Sequence, residues 1–237
     1  MRLVVTRPEA DGERTARALR ACGYDVLLAP LMRVEPITAD LSGHWGAIVI
    51  TSSNAPAAIA DNPARVALVT RPVIAVGRRS AEAATRAGFA DVSFAGGDVR
   101  DLVQMIVELH ADAKAPLLYL TGEDRSADLI GELAVHGVAA EMRVVYRAVA
   151  APFPPALIEA LQAQAVDGVL HFSKRSAESY LAGARAAGLA DAALAVQHFC
   201  LSAQVAGPLT AAGVARVAIA AQPNEAALIE LLHQFQA

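Results

Sequence analysis

Polar residues directly follow apolar segments at several points of this 237-residue chain. Ser173, Lys174 and Arg175 come after the apolar run Gly168–Phe172 and open a helical stretch. Two adjacent cations at a helix start oppose the helix dipole, so an anion bound there would explain an otherwise unfavourable placement. The turn is therefore a candidate anion site, with a solvated helix start as the alternative.

Other turns of this kind offer hydroxyl groups and backbone N–H groups. Thr51, Ser52, Ser53 and Asn54 follow one apolar run, and Gly77 and Ser80 follow the next. Carboxylates are bound by hydroxyls, arginine side chains and the free N–H groups of helix starts. The same residue types also cap helices without any ligand. Both interpretations stay open for these turns.

These turns belong to a regular alternation of short apolar runs and alanine-rich helical stretches. Leu3–Thr6 predicts a buried strand, and Ala10–Ala21 predicts the helix that follows it. Further strands are predicted at Tyr24–Ala29, Ala47–Thr51, Val73–Val76, Leu117–Thr121, Ala139–Val145, Gly168–Phe172, His198–Ser202 and Val217–Ala220. Such alternation is typical of parallel sheets covered by helices on both faces, so the predicted class is α/β.

An internal repeat divides the chain. The unit that starts at Thr6-Arg-Pro-Glu-Ala-Asp resembles the one that starts at Thr121-Gly-Glu-Asp-Arg-Ser126, with Gly137 in the place of Gly23. Downstream of the first unit lie Ile48–Ala55 and then Ala75–Ala81, and downstream of the second lie Val169–Ala177 and then Cys200–Ala206, so the strand-end turns come in the same order in both halves. Two copies of one α/β unit explain this better than one large sheet.

Two segments between these units are extended and flanked by prolines. Leu31–Ile37 and Met142–Val149 predict strands or linkers, because proline keeps the preceding residue out of the helical region. Two such crossings indicate that the chain leaves one domain and later returns to it.

Composition and missing motifs exclude several function classes. The net charge of −4 argues against a nucleic-acid binder. No glycine-rich phosphate loop, metal-ligand spacing or hydrolase nucleophile motif is present, and the six histidines are scattered, with His171 at a strand end. Cys22 and Cys200 are expected to be small buried side chains. No apolar run approaches ~20 residues, and charges follow the short apolar run at the start of the sequence, so we expect a cytoplasmic protein.

The combination of landmarks resembles the uroporphyrinogen-III synthase family over nearly the whole chain. The matching pieces are Val5-Thr-Arg-Pro8, Gly23-Tyr-Asp-Val26, Ala29-Pro-Leu31, Ile50-Thr-Ser-Ser-Asn-Ala55, Ala75-Val-Gly-Arg-Arg-Ser-Ala81, Tyr119-Leu-Thr-Gly122 with Arg125, and Val145-Tyr-Arg147. Each piece is only a strand end with small polar residues, so the resemblance depends on their order and spacing.

The resemblance implies two flavodoxin-like parallel-sheet domains joined by a two-stranded linker, with the active site in the cleft between them. Residues 1–34 and 150–237 would form domain one, and residues 35–149 would form domain two. The implied reaction closes the linear tetrapyrrole hydroxymethylbilane into uroporphyrinogen III. Ring A loses its hydroxyl, ring D attacks through its substituted carbon, and a spiro intermediate fragments and recloses with ring D inverted.

No cofactor is implied, because ring closure without inversion is spontaneous and the protein must chiefly hold a conformation. The implied partner is the substrate alone, with no nucleic acid and no membrane. The expected state is a monomer with at most a transient contact with the bilane-forming enzyme.

Site residues follow from the resemblance position by position. Tyr146 is the implied catalytic residue, a phenol that assists departure of the ring A hydroxyl; simple packing is the alternative. The implied substrate-binding residues are Arg7, Thr51, Ser52, Ser53, Asn54, Gly77, Ser80, Gly122, Arg125, Ser173, Lys174, Arg175 and Ser202. Arg7 and Arg125 could equally form surface salt bridges.

The chain departs from the family pattern at three points. Ser80 stands where the family usually has threonine, Val205 offers no hydroxyl, and Phe172 replaces a strand-end threonine. A tetrapyrrole-binding module that has lost catalysis is therefore a second hypothesis, although little of the chain remains for an output region. A purely structural protein fits the matched polar turns poorly.

Overall fold

The computed structural model describes residues 1–110, 114–125 and 127–235, so Ser126 of the predicted repeat lies outside the described residues. The strands are β1 (Arg2–Val5), β2 (Asp25–Leu28), β3 (Met32–Pro36), β4 (Ile48–Ile50), β5 (Val73–Ala75), β6 (Val92–Phe94), β7 (Leu117–Gly122), β8 (Ala140–Ala150), β9 (Gly168–His171), β10 (Gln197–Cys200) and β11 (Val217–Ile219). The helices are α1 (Glu9–Ala21), α2 (Ala55–Ala58), α3 (Arg65–Leu68), α4 (Arg78–Arg86), α5 (Val99–His110), α6 (Leu129–Val135), α7 (Pro155–Gln162), α8 (Lys174–Ala186), α9 (Ala190–Ala195), α10 (Ala203–Ala211) and α11 (Glu225–His233).

The chain divides into two compact units. Unit one comprises Met1–Arg33 and Val149–Ala237, and unit two comprises Val34–Ala148. β3 and β8 each run across a boundary between the units. The sequence predicts that these units are two domains, residues 1–34 with 150–237 and residues 35–149, and this division stays a prediction.

The sheet of unit one has the order β11-β10-β9-β1-β2 in the described chain, and every pair along it is parallel. Counted along the unit, this is the strand order 2-1-3-4-5 of flavodoxin-like folds. Strand order reverses between β1 and β9, and sheets of this kind bind ligands outside the carboxyl ends of the strands at such a point. The predicted α/β class with parallel sheets is confirmed.

The sheet of unit two has the order β3-β8-β7-β4-β5-β6 in the described chain. The pairs from β8 to β6 are parallel. If β7, β8, β4, β5 and β6 are numbered one to five, these strands again lie in the order 2-1-3-4-5. The reversal here lies between β7 and β4, and ligands of such folds bind outside the carboxyl ends at that point.

Helices cover both faces of each sheet because the central strands are apolar on both sides. In unit one, Val4 and Val169 pack into the core on one face, while Leu3 and Leu170 pack into the core on the other. All residues of β4 and β7 are buried in unit two. Near-continuous burial of this kind is typical of parallel strands.

The two glycines that marked the repeat end helices in the same way. Gly23 has φ of 87° and Gly137 has φ of 74°, a region that favours glycine. The next residue of each donates back five positions, from Tyr24 to Leu19 and from Val138 to Leu133. These are Schellman turns, and each leads the chain into the next strand.

Candidate functional site

A cavity of about 440 Å³ lies at the carboxyl ends of β4 and β7 in unit two, where the strand order reverses. This is the position at which open α/β sheets bind ligands. Its lining residues are Thr51, Ser52, Val76, Gly97, Asp98, Val99, Tyr119, Thr121, Asp124, Arg125, Ala127, Leu129 and Tyr146. The structure thus brings four predicted site residues together, namely Thr51, Ser52, Arg125 and Tyr146.

Tyr146 is placed by an irregularity in the pairing of β7 with β8. Thr121 pairs with Val144, but the next residue, Gly122, pairs with Tyr146, so one residue of β8 is skipped. The backbone N–H of Glu123 then donates to the Tyr146 carbonyl at 2.9 Å. A bulge of this kind redirects a side chain, and here the phenol reaches the cavity wall.

The Tyr146 phenol is half-buried and protonated at neutral pH. Burial raises its pKa above the ordinary value, as do the nearby Tyr119 and Asp124. The hydrogen bond of the phenol with the Ser52 side chain lowers the pKa by less than burial raises it, and the interaction with the Gly122 backbone has a smaller lowering effect. A protonated phenol can donate a hydrogen bond to an oxygen in the cavity.

A cluster of three hydroxyl groups, from Thr51, Tyr119 and Thr121, belongs to residues that line the cavity. Thr51 Oγ1 lies 2.9 Å from the Tyr119 phenol oxygen, and the Thr121 hydroxyl donates to that oxygen at 3.1 Å. β4 and β7 are parallel, with Val49 paired to Tyr119, so the register brings Thr51 opposite Thr121. Tyr119 and Thr121 are almost fully buried, whereas Thr51 is partly exposed.

The turn after β4 does not use its hydroxyls as helix caps. The helix that follows, α2, has only four residues, and Asn54 makes no side-chain cap bond. Ser52 Oγ accepts from the Asn54 backbone N–H at 3.2 Å, which closes a tight turn instead. Asn54 is exposed, and neither it nor Ser53 lines the cavity.

Gly77 and Ser80 lie in the turn after β5, but neither lines the cavity. Gly77 is the N-cap of α4 without a side-chain bond, and the Ser80 backbone N–H donates to its carbonyl at 3.1 Å. Ser80 is buried, with a relative exposure of 6%. Val76, just before this turn, is the residue that reaches the cavity.

The sequence did not identify several polar residues of the cavity wall. Tyr119 and Thr121 belonged to a predicted strand and to a segment that resembles the family, but neither was named as a site residue. Gly97 and Asp98 lie between β6, which was not predicted, and α5, where the Asp98 side chain accepts from the Asp101 N–H at 2.9 Å. The signal available for Tyr119 and Thr121 was their spacing of two, which places both side chains on one face of a strand.

In unit one, Ser173 caps α8. Its hydroxyl oxygen accepts from the Ser176 backbone N–H at 3.1 Å, and Ser176 Oγ accepts from the Ser173 backbone N–H at 3.3 Å. This reciprocal capping box uses the Ser173 hydroxyl within the helix start. Lys174 is exposed, and its Nζ lies 3.8 Å from Glu178. Exposed pairs at this distance contribute little stability.

Ser202 is the matching cap of α10. Its side chain accepts from the Val205 backbone N–H at 3.4 Å. Val205 is 6% exposed and packs in the apolar core with Leu209 and Ala206. The missing hydroxyl at this position is therefore explained by core packing.

Arg7 is held by other side chains of unit one. Its guanidinium lies 2.9 Å from Glu225 Oε2 and 3.4 Å from Asp11 Oδ2, and it stacks over the Phe172 ring at 4.4 Å. Glu225 also accepts from Thr15 at 2.8 Å. Phe172, a departure from the family pattern, is thus a platform for Arg7. The predicted contact of Arg7 with substrate stays a prediction.

His171 belongs to a fully buried pair. Its Nε2 lies 3.0 Å from His198 Nδ1, and His198 Nε2 lies 3.0 Å from the Ala193 carbonyl. Since that carbonyl can only accept, His198 Nε2 carries the hydrogen and His171 Nε2 donates to His198. His171 Nδ1 then has no partner. Burial lowers the pKa of His171 well below its usual value and that of His198 to about 4.

Metal-binding clusters of three or more side chains are absent from the described part of the chain. Cys200 is buried as expected, and burial raises the pKa of its thiol to about 12. Cys22 is exposed, so the expectation that it is buried was wrong. It lies at the end of α1, where the helix turns toward β2.

Comparison with known proteins decides the family. The family described as uroporphyrinogen-III synthase HemD matches residues 13–230. The chain belongs to the uroporphyrinogen-III synthase family. This family provides a cyclising enzyme of haem and other tetrapyrrole biosynthesis, and the resemblance inferred from the sequence is confirmed.

A solved structure from Helicobacter pylori agrees with the fold. The synthase of Helicobacter pylori is 20% identical, with a TM-score of 0.66, over 99% of this chain and 100% of that chain. A mutant synthase of the extremely thermophilic bacterium Thermus thermophilus is 17% identical, with a TM-score of 0.49, over 100% and 97% of the two chains. No curated protein sequence matches the chain significantly.

Proposed function

We propose that this uroporphyrinogen-III synthase family member converts hydroxymethylbilane into uroporphyrinogen III, with inversion of ring D and loss of water. The observation that carries the proposal is the Tyr146 phenol beside a hydroxyl-lined cavity at the strand-order reversal of unit two. The protein's main contribution is to hold the chain of pyrroles so that ring D attacks through its substituted carbon.

Tyr146 assists the first step. The bond between the ring A methylene carbon and its hydroxyl oxygen breaks, and the oxygen leaves as water with a proton that the pyrrole N–H ultimately supplies. The phenol donates a hydrogen bond to the departing oxygen, because its raised pKa keeps it protonated. Tyr146 therefore accelerates the reaction as an assistant and is not an obligatory acid.

The substrate's carboxylates are bound by polar groups at the strand ends. In unit two, Thr51, Ser52 and Arg125 line the cavity, and Gly122 leaves room for Tyr146. We assign Ser53, Asn54, Gly77 and Ser80 only a supporting role in shaping these turns.

In unit one, the start of α8 offers backbone N–H groups together with Lys174 and Arg175. Ser173 and Ser202 act by capping α8 and α10 and so fix these N–H groups. Arg7 contributes through its ion pairs with Glu225 and Asp11, which hold its guanidinium in place in unit one.

The proposal includes the setting of the reaction. Residues 1–34 with 150–237, and residues 35–149, are two domains of one monomer that acts in the cytoplasm, with at most a transient contact with the bilane-forming enzyme. Two compact units support the division. None of the described helices is long and apolar enough to cross a membrane.

A tetrapyrrole-binding module without catalysis is the second candidate. It is favoured by unit one, where Ser173 and Ser202 cap helices and Val205 is buried, so these positions offer the substrate few free hydroxyls. Such a module would bind the tetrapyrrole but leave the product isomer unchanged.

One assay separates the two. Hydroxymethylbilane is generated in situ, the purified protein is added, and the oxidised uroporphyrin isomers are separated by chromatography. Predominantly type III product supports the enzyme. Type I product alone, at the uncatalysed rate with folded protein, supports the binding module.

A further inference from the structure

The buried Tyr119 hydroxyl has two threonine partners that line the cavity with it, of which Thr121 is almost fully buried and Thr51 is partly exposed. Thr121 is 3% exposed and donates to the phenol oxygen, so this oxygen already serves as an acceptor. The remaining partner is Thr51 Oγ1, at 2.9 Å. Thr51 lines the cavity beside Ser52 and Tyr146.

Hydrogen counting fixes the direction of this chain of hydroxyls. If Thr51 also donated to Tyr119, the phenol's own hydrogen would be buried without an acceptor among these three groups, which is costly. If Tyr119 donates to Thr51, every group in the chain is satisfied. The Thr51 hydrogen is then directed away from Tyr119, toward the cavity.

We propose that Tyr119 is a positioning residue that fixes the Thr51 hydroxyl as a hydrogen-bond donor to a substrate carboxylate. The inference rests on the proposed function, since that function supplies the polyanionic substrate. Each donor in a chain of hydroxyls polarises the next, so the terminal Thr51 donor is stronger than an isolated threonine. Tyr119 and Thr121 are 4% and 3% exposed, so solvent has little access to the two hydroxyls behind Thr51.

The Tyr119→Phe substitution removes the hydroxyl and keeps the ring that packs in the core. We expect KM for hydroxymethylbilane to rise about fivefold to tenfold, with kcat changed less than twofold. KM does not depend on the fraction of active protein, so partial unfolding would not produce this result. Tyr180→Phe is the matched control: it removes a buried hydroxyl that donates to the Ala193 carbonyl at 3.3 Å in unit one. KM should not change in the control.

A double-mutant cycle shows whether Tyr119 acts through Thr51. Thr51→Val should raise KM at least as much as Tyr119→Phe, and the double variant should be no worse than Thr51→Val alone. Thr51→Ser, which keeps the hydroxyl, should retain a KM near that of the wild type. Additive effects of Tyr119→Phe and Thr51→Val, or an unchanged KM in Tyr119→Phe, would overturn the inference.

Calorimetric titration with uroporphyrin III, a cyclic octacarboxylate, gives a second readout. The same variants should weaken its Kd in the same non-additive pattern. This readout separates the two claims: wild-type protein that forms no type III isomer contradicts the proposed function, whereas an additive Kd pattern contradicts only the role of Tyr119.

Discussion

The Tyr146 ring lies against Gly122, so close that a Cβ at residue 122 would be 2.6 Å from Cε2 and Cζ of the ring. Real Cβ atoms essentially never approach another heavy atom so closely, and Gly122 is itself part of a buried strand. The missing side chain at residue 122 is therefore what allows the phenol to occupy its position at the cavity.

Gly122→Ala should displace the Tyr146 ring and lower kcat about 10- to 100-fold, because displacement of a catalytic group by about 1 Å can have an effect of this size. Steady-state kinetics and the isomer ratio provide the measurement. Gly207→Ala is the control, since a Cβ there would meet nothing within 4 Å. Equal kcat in the two variants would contradict the placement of Tyr146.

Tyr146→Phe should lower kcat about 10- to 100-fold without abolishing turnover, since the phenol only assists departure of the hydroxyl. The ring remains, so its packing over Gly122 is kept. Single-turnover formation of the type III isomer measures this step directly. Complete loss of activity in a folded variant would mean that the tyrosine is essential, and wild-type kcat would mean that it only packs.

Glu225→Gln should lower the free energy of unfolding by about 1 kcal/mol, because it weakens the charged bonds from Arg7 and Arg14. Burial acts to raise the pKa of Glu225, but the bond from Thr15 and the charges of Arg14 and Arg7 hold it below its ordinary value. Urea unfolding measures the change, with the exposed Glu178→Gln as a control expected to be near neutral. Unchanged stability in Glu225→Gln would contradict this structural role.

The His171–His198 pair should make stability fall in mild acid. In the unfolded chain a histidine takes up a proton near pH 6.5, whereas the pKa of His198 in the folded protein is about 4. The unfolded state binds more protons between these values. The contribution of the pair to the free energy of unfolding is therefore fully present above about pH 6.5 and is lost as the pH falls toward 4. His198 alone accounts for on the order of 3 kcal/mol of this loss.

Urea unfolding from pH 7 to pH 4 tests the effect of the pair. In the double variant His171→Leu/His198→Phe both partners are replaced by apolar groups, so no polar atom of the pair is left unmatched. This variant should show a flatter pH dependence than the wild type. A slope identical to that of the wild type would show that other groups cause the acid sensitivity.

Much of the fold could be predicted from local patterns. Buried parallel strands such as β4 and β7 are short apolar runs, and Gly23 and Gly137 stand where a helix must turn into a strand. β6 was not predicted, because Val92–Phe94 is partly exposed and only three residues long. Its weak apolar signal could not reveal the Gly97-Asp98 turn beyond it.

The site could be predicted only in part. Polar residues at strand ends were identifiable, and Thr51, Ser52, Arg125 and Tyr146 do meet at one cavity. The sequence could not show which hydroxyls cap helices, because Ser173 and Ser52 have the same residue type and a similar position. Tyr119 was missed because its partners Thr51 and Thr121 come together only through the pairing of β4 with β7.

The isomer composition of the product tests the central claim most directly. Hydroxymethylbilane released in situ is followed with the wild-type protein and with the same protein after heat denaturation. The proposed function predicts predominantly type III uroporphyrin with the native protein and type I with the denatured sample. Type I product at the uncatalysed rate with native, folded protein would contradict it.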